Sequence, residues 1–201
     1  MHRLCPALLL WAAAFSAYAA RPGCENWAAP VGVSASTVET ASSRAYHLSL
    51  QMHAAFAGSN PYSARPLALQ YLASVSDIPC DWNYGNAIHD ANSVLGLLAL
   101  HEGNTAQALH YLKAAGESPG SPQLNSFGPS LMLANELAEA GEYDTVASYI
   151  SAVGKFWKPD DTTLLAFALP FLKDPDPLSS WLRELRNRQV PNFGMNASKS
   201  P

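Results

Sequence analysis

The chain has 201 residues, of which 48% are hydrophobic and 14% charged, and its formal net charge is −4. This length suffices for one domain with a buried core. From Pro66 to Gly154 nine acidic residues are opposed only by Lys113, which argues against a nucleic-acid partner because phosphates require the opposite charge. The acidic stretch is compatible with a basic partner and also with an ordinary solvated face.

The first 19 residues have the pattern of a cleavable export signal. Arg3 precedes an apolar run over residues 8–15, and Ala17-Tyr18-Ala19 forms an A-x-A cleavage site. The run is shorter than the roughly 20 apolar residues that span a bilayer, and no later segment is long and apolar enough to do so. We therefore expect a mature chain of 182 residues (201 − 19) in the periplasm or outside the cell.

Cysteine usage is consistent with export. Cys5 leaves with the signal, so the mature chain keeps two cysteines, Cys24 and Cys80. An even count in an oxidising compartment favours one disulfide over two free buried thiols.

Residues 20–35 are expected to form an extended segment and residues 36–188 a helical domain. Residues 189–201 are expected to form a polar, flexible tail. No stretch alternates as a strand does. Capping residues, glycines and prolines mark about eight expected helices. These run from Ser36 to about Ala57, Asn60 to Val75, Tyr84 to His101, Asn104 to Ala115, Pro129 to Gly141, Glu142 to Val153, from Asp160 or Asp161 past Pro170, and from Asp176 to Asn187.

The third to sixth of these helices form two pairs related by an offset of 38 residues (134 − 96). Gly96 and Ala134 are equivalent small residues, and Gly103 and Gly141 are equivalent turn residues. Small side chains allow two antiparallel helices to approach closely, so Gly96 is expected opposite Ala108 in the first pair.

This pattern resembles the tetratricopeptide repeat (TPR), which has a period of about 34 residues; the extra residues fit the Pro/Gly/Ser-rich loop between the pairs. The resemblance covers residues 87–158 and departs at Asn92 and Ala99, where the family often has tryptophan and tyrosine. It implies an all-α solenoid of antiparallel helix hairpins, with the flanking helices as degenerate or capping repeats. Residues 120–129 resemble a block in exported bacterial proteins of this kind, which implies no activity.

In the TPR family, ligands lie in a groove lined by the first helix of each pair. The resemblance implies a partner-binding groove, called here the predicted groove, formed by Asp90, Ser93, Leu97, Leu100, His101, Leu131, Met132, Asn135, Ala138 and Glu139. Asn135 matches a position that binds a terminal carboxylate in clamp-type members, but the lysine and arginine partners of that clamp are missing. An apolar or basic protein segment therefore fits this acidic groove better.

No catalytic, cofactor or metal site is predicted. Residues 116–120 match the G-x-S-x-G pattern of serine hydrolases, but no strand precedes Ser118, and Pro119 lacks the N–H that an oxyanion hole requires. The five histidines of the mature chain lack metal-ligand spacing, and His101 suits the negative end of a helix dipole.

The leading hypothesis is an exported binding or scaffold module that holds a protein or peptide segment without catalysis. The alternatives are an envelope enzyme or small-molecule-binding protein with a helical cleft, and a purely structural subunit. A cleft with a pKa-perturbed carboxylate or histidine would favour the enzyme, whereas an open apolar groove would favour the binding module.

Overall fold

A computed structural model describes Cys24 and residues 35–158 and 176–197. All regular structure in these ranges is helical, as the sequence predicts. The α-helices are α1 (Ala35–Phe56), α2 (Ala64–Val75), α3 (Trp82–His101), α4 (Thr105–Gly116), α5 (Pro122–Phe127), α6 (Met132–Glu139), α7 (Tyr143–Val153) and α8 (Pro177–Arg186). Short 3₁₀ turns cover Pro61–Ser63 and Gly194–Ala197.

Some predictions lie outside the described residues. These are the export signal, the segment over residues 20–35 apart from Cys24 and Ala35, the helix expected from residue 160 or 161, and residues 198–201 of the tail.

Side-chain caps explain where several helices begin. Asp81 accepts a hydrogen bond from the backbone N–H of Asn83 at the start of α3. Asn104 and Asp176 do the same at the starts of α4 and α8. Each cap satisfies an N–H group that has no partner within its helix.

The two central turns have the same hydrogen bonds at the 38-residue offset. Gly103 and Gly141 both have positive φ, +77° and +91°, the left-handed conformation that favours glycine. The N–H of Asn104 donates to the carbonyl of Ala99 at 2.9 Å, and the N–H of Glu142 donates to that of Leu137 at the same distance. The repeat seen in the sequence is therefore a repeat of turn geometry.

Two apolar clusters share α3. One joins α3 to α1 and α2, and the other joins its C-terminal part to α4, α6, α7 and the segment around Trp157. Gly96 packs differently from the sequence expectation: a Cβ there would first meet the side chains of Leu133 and Tyr111, not Ala108. The small residue on α3 thus admits α6 of the second pair.

Ala108→Leu should lower the free energy of unfolding by about 1–3 kcal/mol, because Ala108 is fully buried on α4 and extra methylenes would overpack its surroundings. Ala106→Leu is the matched control, since Ala106 is exposed on the same helix. Urea unfolding of both variants measures the difference. Equal midpoints for the two variants would mean that α4 is not packed as described.

Two local expectations need correction. A short helix, α5, follows the irregular loop, and the next helix begins at Met132 rather than Pro129. The tail expected to be flexible instead packs on the domain as far as Ala197: Phe193 is 2% exposed, and its ring lies 5.2 Å from that of Trp181. The tail is ordered because the buried ring of Phe193 packs against Trp181, and such aromatic contacts are stabilising. The otherwise polar composition of the tail gives no sign of this contact.

Candidate functional site

The loop between α4 and α5 docks closely on the N-terminal part of α3. A Cβ on Gly85 would lie 1.7 Å from the carbonyl oxygen of Gly120, so only glycine permits this approach. Ser118 Oγ donates to the carbonyl of Gly85 at 2.8 Å, and Ser121 Oγ donates to the side chain of Asn86. These buried hydrogen bonds fix the loop against the helix.

This docking leaves an open cleft of about 310 Å³ between α1, α2, α3 and the α5 region. Asp90, Tyr71 and the amides of Asn83 and Asn86 supply polar groups to it. Tyr46, Trp82, Leu124 and Phe127 supply its apolar surface. We refer to the space lined by these residues as the cleft.

Two rim side chains of the cleft are unusually exposed for aromatic residues. Phe127 is 80% exposed and Tyr46 is 45% exposed. The ring of Tyr46 lies 6.1 Å from that of Trp82, at an interplanar angle of 46°. The cleft therefore offers exposed aromatic surface beside its polar groups.

Asp90 is held between two histidines. Its Oδ1 accepts a hydrogen bond from His89 Nδ1 at 2.8 Å, and its Oδ2 lies 3.7 Å from Nε2 of His53 on α1. His89 is fully buried, and its Nε2 lies 2.8 Å from the hydroxyl of Tyr149 on α7. Because an ionised carboxylate only accepts, His89 carries a proton on Nδ1.

The carboxyl of Asp90 is ionised at neutral pH. Burial opposes its ionisation, but the interactions with His53 and His89 outweigh this and lower its pKa to about 2. Pairing with Asp90 raises the pKa of His53 against the opposing effect of burial. The cleft therefore contains a permanent negative charge beside a histidine that titrates above its ordinary pKa.

Asp90→Asn should lower the pKa of His53, because it removes the negative charge that favours the imidazolium. The raised pKa also means that the pair stabilises the fold most below the ordinary histidine pKa. This contribution is lost as pH rises through the folded pKa. An NMR titration of the His53 ring protons tests both the wild type and the variant. An unchanged pKa would show that the two residues do not interact in solution.

The Cys24–Cys80 disulfide lies at the edge of this site. The two α-carbons are 5.6 Å apart, as a disulfide requires. Cys80 immediately precedes Asp81, the N-cap of α3, and Trp82 of the cleft follows in the first turn. The bridge thus ties the N-terminal segment to the start of the helix that carries Asp90.

Only part of the predicted groove is accessible. Leu97 is 3% exposed, Leu131 is fully buried, and Ser93 and Ala138 are buried too. This corrects their expected role, because Leu97, Leu131 and Ala138 belong to the core that α3 shares with the second helix pair.

The other residues of the predicted groove are divided between core and surface. Leu100 and Met132 are partly buried against the second core cluster. His101 Nε2 lies 3.2 Å from Glu136, and Asn135 donates to Glu139 at 2.9 Å. Of the whole set only Asp90 lines the cleft, which lies nearer the N-terminus of α3.

The polar residues of the cleft had a signal in the sequence that the prediction did not use. Asn83, Asn86 and Asp90 recur at intervals of three and four residues, which places them on one face of α3. The rest of α3 is mostly buried and apolar. The contribution of His53 and Tyr71 had no such signal, because they come from other helices.

Ser118, the serine of the G-x-S-x-G match, has a structural role. Ser118 is buried, with its hydroxyl engaged by Gly85 and by the N–H of Gly120. Across residues 35–158 and 176–197, no three histidine, cysteine or acidic side chains are grouped as metal ligands. Over the same ranges no helix has the length and apolar character to cross a membrane.

No protein-family model, no curated protein and no solved structure matches this chain.

Proposed function

We propose that this protein is an exported, TPR-like binding module that holds a segment of another protein in the cleft. The observation that carries the proposal is the ionised Asp90 at a cleft whose rim exposes Phe127 and Tyr46. The apolar rim would supply affinity, while the charge would select a basic segment and increase its association rate.

Export and repeat architecture are part of the same proposal. Disulfides persist in oxidising compartments, so the Cys24–Cys80 bridge supports a protein that leaves the cytosol. The expected signal over residues 1–19 supplies the route. The matching hydrogen bonds of the turns at Gly103 and Gly141 support a TPR-like relation between the two hairpins.

The direction of the pKa shift argues against Asp90 itself as a general acid or base. A carboxylate that acts as a general acid or base near neutral pH needs a pKa moved towards neutrality. The pKa of Asp90 is lowered to about 2, so its carboxylate is a weak base that keeps a constant charge. A perturbed carboxylate in a cleft was expected to favour an enzyme, but this perturbation suits a fixed electrostatic anchor.

The alternative of a small-molecule site uses the same cleft. Its volume of about 310 Å³ is at the lower end of the range for ligand pockets, about 300–1,000 Å³. Phe127 lines this volume and is 80% exposed in the free protein. An extended segment that crosses the rim would cover Phe127 and also reach Asp90.

A peptide-display selection on the mature protein tests the proposal. We expect one family of sequences to be enriched on the wild type. The Tyr46→Ser/Phe127→Ser variant should lose affinity for that family by about tenfold or more, since exposed aromatic anchors often dominate binding energy. Leu69→Ser is the matched control, because Leu69 is 52% exposed and does not line the cleft.

Two outcomes would overturn the proposal. One is the absence of any enriched family relative to an unrelated immobilised protein. The other is an enriched family that binds the double variant as tightly as the wild type. Circular dichroism of each variant accompanies the binding measurement, so that loss of binding through unfolding is recognised.

A further inference from the structure

The cleft contains one polar atom whose hydrogen bonding is incomplete. The hydroxyl of Tyr71 is buried and, within the part of the chain that the structure describes, makes no hydrogen bond of acceptable geometry, although Ser49 lies nearby. Tyr71 lies on α2 and lines the cleft together with Asp90. Burial raises the pKa of Tyr71, and the negative charge of Asp90 raises it further. The two groups are therefore electrostatic neighbours.

We therefore expect the Tyr71 hydroxyl to have a hydrogen-bond partner from outside the chain. Buried polar groups in folded proteins nearly always have a hydrogen-bond partner, and an exception points to a bound water, ion or ligand. Tyr71 lines the cleft, so a molecule that enters the cleft is the partner from outside the chain that lies nearest to this hydroxyl. Its neighbour Asp90 is ionised, so that molecule is favoured if it is cationic.

Asp90 has one carboxylate oxygen available for such a cation. Oδ1 is engaged by His89 at 2.8 Å, whereas Oδ2 lies 3.7 Å from His53, which is longer than a full hydrogen bond. The Asp90 side chain is 21% exposed, and His53 beside its Oδ2 is 53% exposed. A ligand can therefore reach Oδ2 from the cleft without displacing His89.

We propose that the cleft binds a lysine side chain of the captured segment, with its ammonium group donating to Asp90 Oδ2 and to the hydroxyl oxygen of Tyr71. This inference rests on the proposed function and specifies the anchor residue of the bound segment. The hydrocarbon stem of the lysine lies along the Tyr46 and Trp82 rings, which line the same cleft.

The geometry selects lysine over arginine. Arginine binds a carboxylate best through two parallel hydrogen bonds, one to each oxygen. His89 already occupies Oδ1, so that arrangement is blocked at Asp90. An ammonium group is a compact donor that can direct separate N–H bonds to Oδ2 and to the phenol of Tyr71.

The test compares versions of one displayed peptide at a pH above the His53 pKa found in the NMR titration, so that His53 carries no proton. The lysine is kept, acetylated, or replaced by arginine or norleucine. Removing a charge-assisted hydrogen bond should weaken binding about ten- to a hundredfold. We therefore expect that loss on acetylation and with norleucine, and an intermediate affinity with arginine. Enriched peptides without a lysine at a fixed position, or equal affinity after acetylation, would overturn the inference.

Tyr71→Phe is the decisive protein variant. It removes a hydroxyl that makes no hydrogen bond in the free protein, so the fold should be at least as stable. It should nevertheless weaken binding of the lysine peptide and not of the norleucine peptide. Asp90→Asn should weaken it further, and Asp77→Asn is the control because Asp77 is exposed outside the cleft. Equal binding by wild type and Tyr71→Phe would contradict the proposed contact.

A titration with a free amine distinguishes failure of the ammonium site from failure of the proposed segment binding. n-Pentylammonium chloride is titrated while the NMR signals of Tyr71 and the Trp82 indole are followed. Shifts at these residues without any peptide capture would support the ammonium site and contradict segment binding. Peptide capture that ignores the lysine would contradict the ammonium site and leave segment binding supported.

Discussion

Reduction of the Cys24–Cys80 disulfide should lower the free energy of unfolding by about 4 kcal/mol, the value expected in the chain-entropy model for a loop of this length. The two cysteines are 56 positions apart, so the bridge removes much freedom from the unfolded chain. In the folded chain it also holds the residue preceding the N-cap of α3.

Urea unfolding with and without a phosphine reductant measures this effect. The Cys24→Ser/Cys80→Ser variant should unfold at the lower urea concentration of the reduced wild type. The reductant should leave that variant unchanged, which controls for effects unrelated to the bridge. Identical unfolding of oxidised and reduced wild type would mean that the bridge does not form or that it constrains neither state.

Gly85→Ala should destabilise the protein by about 1–3 kcal/mol or more through overpacking, and it should open the wall of the cleft. The added Cβ would meet the backbone carbonyl of Gly120 at 1.7 Å, and the loop there is held by Ser118 and Asn86. Relief requires moving the loop and breaking these buried hydrogen bonds.

Gly96→Ala is the matched comparison on the same helix. Both substitutions give α3 a better helix former, but at Gly96 the nearest atom belongs to the end of the Leu133 side chain, which can change rotamer. Gly85→Ala should therefore lose more stability than Gly96→Ala in the same urea series. The opposite order would contradict the close approach of the loop to α3.

The helices were largely predictable because their signals are local. Asn104 and Asp176 cap helices, and Gly103 and Gly141 end them in the left-handed conformation. These residues act within one turn of themselves, so the sequence shows them without knowledge of packing. The all-helical class follows from the same signals.

Long-range packing explains what the sequence did not show. The tail depends on the contact of Phe193 with Trp181, and α5 depends on Ser121, which caps it and also donates to Asn86. Leu97 has the position of a groove residue in a TPR hairpin, but here the second pair covers it. Each of these outcomes requires partners distant in sequence.

Among the residues of the candidate site, one, Asp90, was predicted from the sequence. The TPR resemblance implies Asp90 as a groove residue, and the structure places it in the cleft, nearer the N-terminus of α3 than the rest of the predicted groove on that helix. The network of His53, His89 and Tyr149 joins three helices. Periodicity within one helix cannot indicate such a network, since it gives the face of a residue and not its partner.

The most direct test of the account is an NMR chemical-shift map of the protein with the selected peptide. Its reporters are the Trp82 indole N–H and the side-chain amides of Asn83, Asn86 and Gln123, which all line the cleft. The account predicts that these signals shift on saturation while those of His101 and Asn135 stay in place. Shifts that cluster at His101, Met132, Asn135 and Glu139, with unchanged signals from Trp82 and Asn86, would contradict binding in the cleft.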